Sequence, residues 1–121
     1  MPERICRNNA RDEYWFHEGC HILEVANHPD DPQVSIARAR VEPGTVTQWH
    51  YLQDTWERYL IVAGEGVAEI GDLEPALVSA GDVVLIPPGT PQRIRNTGNQ
   101  DLLFYAVCSP RFTPACYRPL T

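Results

Sequence analysis

The segment from Thr47 to Gly66, TQWHYLQDTWERYLIVAGEG, contains two residues that could bind a metal ion. His50 and Glu57 offer an imidazole nitrogen and a carboxylate oxygen, which are suitable ligands for iron, manganese, nickel, zinc or copper. Leu52, two positions after the histidine, has no donor atom. The segment therefore predicts two ligands of a metal site, which the surrounding elements must position.

Composition limits the answer to one compact domain. The chain has 121 residues, of which 43% are hydrophobic and 21% charged, as in ordinary globular proteins. Its net charge of -6, from 10 basic and 16 acidic residues, argues against a nucleic-acid surface. No apolar run approaches the roughly 20 residues that cross a bilayer, and the start MPERICRNNARDEYW lacks the apolar centre of a signal peptide. We expect a cytoplasmic protein that binds a small molecule, and neither nucleic acid nor a membrane.

Short apolar or alternating runs, separated by Gly, Pro, Asp and Asn, predict an all-β protein. Nine short strands favour a sandwich or barrel. The polar N-terminal segment and the extended C-terminal tail lack this pattern of short strands. We expect an N-terminal extension at 1–19, a β-barrel domain at 20–108 and a C-terminal tail at 109–121, with both end segments packed on the barrel or on a partner. The predicted strands are 20–26, 33–42, 46–52, 56–63, 66–70, 76–78, 83–86, 92–96 and 102–108.

The strand at 56–63 has bulky apolar residues on both faces. Because side chains two positions apart share a face, Glu57 and Tyr59 lie on one side, and Leu60 and Val62 on the other. An open antiparallel sheet normally has one polar face. We therefore expect the terminal segments or a second subunit to cover Leu60 and Val62, and we predict a homodimer.

Two stretches resemble the cupin motifs. Residues 44–64, GTVTQWHYLQDTWERYLIVAG, match G(X)5HXH(X)3-4E(X)6G except that Leu52 replaces the second histidine. Residues 81–96, GDVVLIPPGTPQRIRN, match G(X)5PXG(X)2H(X)3N except that Gln92 replaces the histidine. The resemblance implies a double-stranded β-helix, a jelly-roll barrel that agrees with the strand pattern. The sequence around the motifs is similar to that of a group of small single-domain bacterial cupins.

In cupins, three histidines and one glutamate from the two motifs bind a divalent metal. Carried over to this chain, the resemblance implies His50, Glu57 and Gln92 as ligands of iron, manganese, nickel or zinc, with nothing from Leu52. This reduced set should bind metal weakly and leave coordination positions for water or substrate. The alternative is that His50 and Gln92 hydrogen-bond Glu57 in a barrel without metal.

Strand parity also predicts the walls of a substrate pocket. The last strand is apolar on both faces, so the sequence does not decide whether Tyr105 or Cys108 points inward. Tyr59 could hydrogen-bond substrate or serve as core, and Cys108 could be a soft ligand or an inert small hydrophobe. The predicted pocket residues are Gln48, Leu52, Tyr59, Ile94, Tyr105 and Cys108.

Three classes of function follow from these expectations. The first is a metal-dependent oxygenase, isomerase or lyase that acts on a small organic substrate. The second is a metal-free binding or sensor module without catalysis, and the third is a structural cupin. Fold alone does not choose among them. The sequence therefore predicts a small-molecule-binding cupin with a reduced divalent metal site.

Overall fold

The computed structural model describes residues 2–120 and consists of β-strands with two single-turn 3-10 helices, Ala10–Asp12 and Pro114–Cys116. Met1 and Thr121, which belong to the two predicted end segments, lie outside the described residues. The strands are β1 (Tyr14–Phe16), β2 (Cys20–Ala26), β3 (Ser35–Val41), β4 (His50–Leu52), β5 (Trp56–Ala63), β6 (Glu65–Ile70), β7 (Ala76–Ser79), β8 (Val83–Ile86), β9 (Gln92–Asn96), β10 (Leu102–Ser109) and β11 (Tyr117–Pro119).

The strands form two antiparallel sheets. One has six strands in the order β1-β2-β3-β10-β5-β8, and the other has five in the order β11-β4-β9-β6-β7. Consecutive strands alternate between the sheets along much of the chain, so the two sheets face each other as a jelly-roll barrel. The predicted all-β double-stranded β-helix is confirmed.

Two short strands come from the segments that the sequence placed outside the barrel. β1 pairs with β2, and β11 pairs with β4, each over three residues. Such short strands carry little periodic signal and are stabilised by pairing with a neighbour. The predicted strand at 46–52 is regular only over His50–Leu52, because the backbone N–H of Gln48 donates instead to the carbonyl of Glu18 at 2.8 Å.

The main core packs apolar side chains of both sheets, including Ile61, Ile86, Ile94, Leu102 and Phe104. A smaller cluster contains Leu52, Cys108 and Tyr117, against which Phe16 and Phe112 pack. Both terminal segments thus contribute to this second cluster. Among the described residues, no helix has the length and apolar character to cross a membrane.

Two motif residues have structural roles. Gly64 has φ +81°, and a Cβ there would lie 2.6 Å from the carbonyl oxygen of Asp101, so no larger residue fits without a backbone shift. Asn96 is buried and donates to the carbonyl oxygens of Val41 at 2.8 Å and Gln100 at 2.7 Å. These residues close turns of the barrel, and they leave His50, Glu57 and Gln92 for chemistry.

Candidate functional site

A cavity of about 50 Å³ lies against the inner face of the six-stranded sheet. This volume accommodates about four water molecules. Its wall includes the carboxyl groups of Glu18, Glu24 and Glu57, and within the described chain it includes no Arg, Lys or His. Five aromatic side chains complete much of the wall: Tyr14, Phe16, Tyr59, Phe104 and Phe112.

His50 is 1% exposed and has one hydrogen-bond partner and one close carboxyl group. Its Nδ1 lies 2.8 Å from the carbonyl oxygen of Gln48, an acceptor that requires the proton to be on Nδ1. Nε2 lies 3.3 Å from Oε1 of Glu18. Burial lowers the pKa of His50, while the Gln48 hydrogen bond and the charge of Glu57 oppose this shift. A neutral His50 therefore presents a lone pair on Nε2, to which a protonated Glu18 can donate.

Glu18 was not among the predicted site residues. It lies in the N-terminal segment, before the first motif, and only the folded chain places it beside His50. Burial raises its pKa to about 7, and the thiol of Cys20, which donates to Oε2 at 3.5 Å, opposes the rise. No spacing to another ligand-type residue in the sequence distinguishes Glu18 from an ordinary surface glutamate.

Glu57 lies on β5 and is 8% exposed. The thiol of Cys108 donates to Oε2 at 3.7 Å, whereas Oε1 has no hydrogen-bond partner among residues 2–120. Burial raises the pKa of Glu57 to about 7, and the charge of Glu18 adds to the rise. His50, the Gln92 amide and the Cys108 thiol favour the charged form and limit the shift.

Gln92 on β9 lies opposite His50 on β4 and is fully buried. The hydroxyl of Tyr59 donates a short hydrogen bond to Oε1 of Gln92. The amide Nε2 is close enough to Glu57 to lower the pKa of that carboxyl group, but it makes no hydrogen bond of good geometry in the described chain. Because its oxygen is already engaged, Gln92 presents a hydrogen-bond donor to the site.

Tyr117 on β11 holds the other side of the His50 ring. The two rings stack with centroids 4.9 Å apart and planes inclined by 23°. Phe16 packs edge-on against Tyr117 at 5.1 Å. The Tyr117 hydroxyl is buried and unpartnered within the described residues, but Tyr117 does not line the cavity.

The structure brings His50, Glu57 and Gln92 together, but as arranged they do not fit a metal ion. The amide oxygen of Gln92 accepts from Tyr59, and Nε2 of His50 faces Glu18. Across residues 2–120, no group of three or more His, Cys, Asp or Glu side chains is placed to hold a metal. The set is therefore arranged as a hydrogen-bonding site.

The predicted pocket residues separate into three groups. Tyr59 and Cys108 line the cavity. Leu52 and Ile94 are buried in the apolar clusters and do not line it.

Gln48 and Tyr105 lie elsewhere, which corrects their predicted placement. Gln48 is exposed, because the chain before His50 is not a regular strand and strand parity does not apply there. Tyr105 lies on the opposite face of β10 from Phe104 and Cys108, because the strand is regular at these positions. Phe104 and Cys108 are buried on the inner face.

Solved structures share this fold. A Streptomyces PAC13 variant with uridine superposes with a TM-score of 0.77 at 20% identity, covering 95% of this chain and 90% of that chain. A Pac13 structure is described as a unique nucleoside dehydratase. A predicted oxalate decarboxylase from Thermotoga maritima has a TM-score of 0.70 at 26% identity, covering 91% of this chain and 99% of the other.

Sequence comparisons identify the family. The Cupin domain model matches residues 37–108. An oxalate-binding protein of Thermotoga maritima is 34% identical over 106 residues, which is 88% of this chain and 84% of the relative. An uncharacterised protein of Methanocaldococcus jannaschii, MJ1618, is 35% identical over 103 residues, which is 83% of this chain and 81% of the relative. With both motifs, the barrel and these matches in agreement, the chain belongs to the cupin family.

Proposed function

We propose that this cupin binds a small organic molecule beside Glu57 and exchanges a proton with it. The supporting observation is a set of buried polar atoms without hydrogen-bond partners in the described chain. Glu57 Oε1, Gln92 Nε2 and the Tyr117 hydroxyl are three of four such atoms, and all three belong to neighbours of His50. An unsatisfied buried polar group costs about 1–3 kcal/mol. Of these three residues Glu57 lines the cavity, and a ligand that donates a hydrogen bond to its Oε1 would satisfy that atom.

Glu57 is the residue suited to the proton transfer. Its carboxyl group lines the cavity and has a pKa of about 7, so it can give or take a proton near neutral pH. Glu18 and His50 form a second proton-carrying pair at 3.3 Å, and Tyr59 orients the Gln92 amide. These groups favour an isomerase or lyase reaction, in which a proton leaves or joins the ligand.

A second candidate is a divalent metal that binds an anion such as oxalate. The Thermotoga relative described as an oxalate-binding protein supports it. In this chain a free dianion would face three carboxyl groups and, in the described part of the cavity wall, no basic residue. A cation at His50, Glu57 and Gln92 would relieve that repulsion and act as a Lewis acid, but the Gln92 amide would have to rotate away from Tyr59.

We also propose that two copies pair through the outer face of β5 and β8. Leu60 and Val62 are each 40% exposed, and the adjacent Val83 and Leu85 are 54% and 64% exposed. β8 is an edge strand of the six-stranded sheet. Edge strands and contiguous apolar surface favour association, and a second copy would cover both.

Ligand binding and proton exchange can be tested together by NMR in D2O. Metal-free protein and protein loaded with iron, manganese, nickel or zinc would be screened against small alcohols, amines, hydroxy acids and dicarboxylates. We expect saturation transfer to a ligand without metal, and deuterium incorporation at a C–H group of that ligand. Glu57→Gln should retain binding of uncharged ligands and lose exchange, whereas Glu65→Gln, an exposed residue on β6, should behave as wild type.

One result would overturn this proposal in favour of the second candidate. If the metal-free protein binds none of the panel and oxalate binds only after metal is added, the cavity is a metal–anion site. Metal analysis of wild type and His50→Ala would then show a near-stoichiometric metal that the variant loses.

A further inference from the structure

The cavity wall combines two kinds of group that attract cations. Carboxyl groups attract them by charge, and aromatic rings by the negative potential of their faces. Three glutamates and five aromatic residues line the cavity, and the described wall contains no Arg, Lys or His. Outside the wall, His50 lies 3.3 Å from Glu18, and burial raises the pKa of Glu24 while the charge of Arg111 lowers it. Tyr59 and Phe104 form an aromatic corner, with centroids 4.3 Å apart and planes inclined by 40°.

An unpartnered buried oxygen provides a second, independent observation. Glu57 is 8% exposed, lines the cavity, and has no hydrogen-bond donor for Oε1 among the described residues. Its other oxygen, Oε2, already accepts from Cys108. A carboxylate oxygen held in this way requires a donor, and a charged N–H donor makes the stronger hydrogen bond.

We infer that the ligand of this cavity is a small protonated amine. This inference rests on the proposed small-molecule site and names its ligand class. The ammonium group donates to Oε1 of Glu57 and lies against the aromatic corner. The cavity volume of about 50 Å³ restricts the ligand to a few non-hydrogen atoms.

Three matched probes separate charge from shape. Ethanolammonium and propan-1-ol have equal numbers of non-hydrogen atoms and differ mainly in an ammonium in place of a methyl group, and glycolate carries the opposite charge. Calorimetric titration of the metal-free full chain should be done near pH 8, where ethanolamine is still protonated. We expect ethanolammonium to bind at least about tenfold more tightly than propan-1-ol, and glycolate to give no heat.

Glu57→Gln tests the residue that carries the inference. Glutamine keeps the size of the side chain and removes its charge, so ethanolammonium affinity should fall at least about tenfold. Propan-1-ol affinity should stay within about threefold, which would show that the cavity is intact. Glu65→Gln removes a carboxylate from an exposed position and should change neither affinity.

The outcomes distinguish this inference from the function on which it rests. Propan-1-ol binding as tightly as ethanolammonium would overturn the cation inference and leave small-molecule binding standing. Glycolate binding that depends on added metal would overturn it in favour of the metal–anion site. If none of the probes binds, the inference is wrong, and an equally negative NMR panel would also reject the proposed function.

Discussion

Carboxyl groups on the two faces of the six-stranded sheet differ in their partners and in the direction of their pKa shifts. On the outer face, Glu13 accepts from Arg40 at 2.6 Å and from Arg38 at 3.3 Å, and the Arg40 hydrogen bond is the main cause of its lowered pKa. On the inner face, Glu57 has no basic partner in the described cavity wall, and burial raises its pKa to about 7.

This difference indicates which carboxyl groups serve stability. A paired outer carboxylate stabilises the folded chain modestly. An inner carboxyl group that is desolvated and unpaired destabilises its charged form. The core cluster shows that the barrel interior can be filled with apolar side chains. The inner carboxyl groups are therefore better explained by ligand chemistry than by folding.

The apolar residues show the reverse arrangement on the same strand. β5 places Glu57 and Tyr59 inside, whereas Leu60 and Val62 are exposed outside. A solvated sheet face is normally the polar one. Each face of β5 therefore departs from the usual pattern at the place where we propose a contact, with a ligand inside and with a second copy outside.

The largest expected effect is a loss of stability with rising pH. Glu57 and Glu18 each have a pKa raised from 4.5 to about 7 in the folded chain, so the folded state binds more protons than the unfolded state between these values. Their neutral forms stabilise the fold fully below the unfolded pKa, and this contribution disappears as pH rises through about 7. Urea unfolding should show that the free energy of unfolding decreases by about 3 kcal/mol over this pH range for one such group.

Glu57→Gln isolates the inner face in that measurement. The variant should show a shallower decrease between mildly acidic and mildly alkaline pH, and it should be more stable than wild type at the alkaline end. Because Glu18 and Glu57 influence each other, the two contributions should not simply add. Equal stability of wild type across this range would contradict the inner-face assignment.

On the outer face, replacing a carboxyl group should lower stability, and the change should be smaller than on the inner face. Glu13→Gln removes the acceptor of Arg38 and Arg40 and should destabilise the fold by about 1 kcal/mol at neutral pH. The lowered pKa of Glu13 means that its contribution is present above the unfolded pKa and is lost as pH falls. Thermal unfolding at low and high salt should show that salt reduces the difference, and a neutral effect at low salt would argue against the pair.

Tyr117→Phe should change stability by about 0.5–1 kcal/mol, in the stabilising direction. The variant removes a buried hydroxyl that has no partner in the described chain and keeps the ring that stacks on His50. Urea unfolding without ligand measures this effect. A clear destabilisation would show that the hydroxyl already has a partner, such as bound water.

Leu60→Glu should have the smallest effect on the folding of one subunit, within about 0.5 kcal/mol, because Leu60 is 40% exposed. Its expected effect is on association, since a charge would replace an apolar contact between copies. Light scattering should show a dimeric wild type and a monomeric variant. Leu73→Glu is the matched control, because Leu73 is 72% exposed and lies outside the strands. Monomeric mass for all three proteins would refute the proposed interface.

Much of the barrel could be predicted because its strands are long enough to carry a pattern. β2, β5, β8 and β9 have the predicted bounds, and the glycine and asparagine of the motifs occupy turns whose geometry needs them. The pocket was harder to predict. Strand parity failed for Gln48, where the chain is irregular, and could not choose between Tyr105 and Cys108 on an apolar strand.

The sequence by itself determined the family, the barrel and the spacing that puts His50 and Gln92 on neighbouring strands and Glu57 on the other sheet, because motif spacing and alternation are local properties of the chain. Only the tertiary structure decided what surrounds them. Glu18 and Tyr117 reach His50 from segments 32 and 67 positions away along the chain, and the Tyr59 hydroxyl donates to the Gln92 oxygen. Burial and long-range contact set the charge and hydrogen-bonding state of these groups, and no local pattern encodes either.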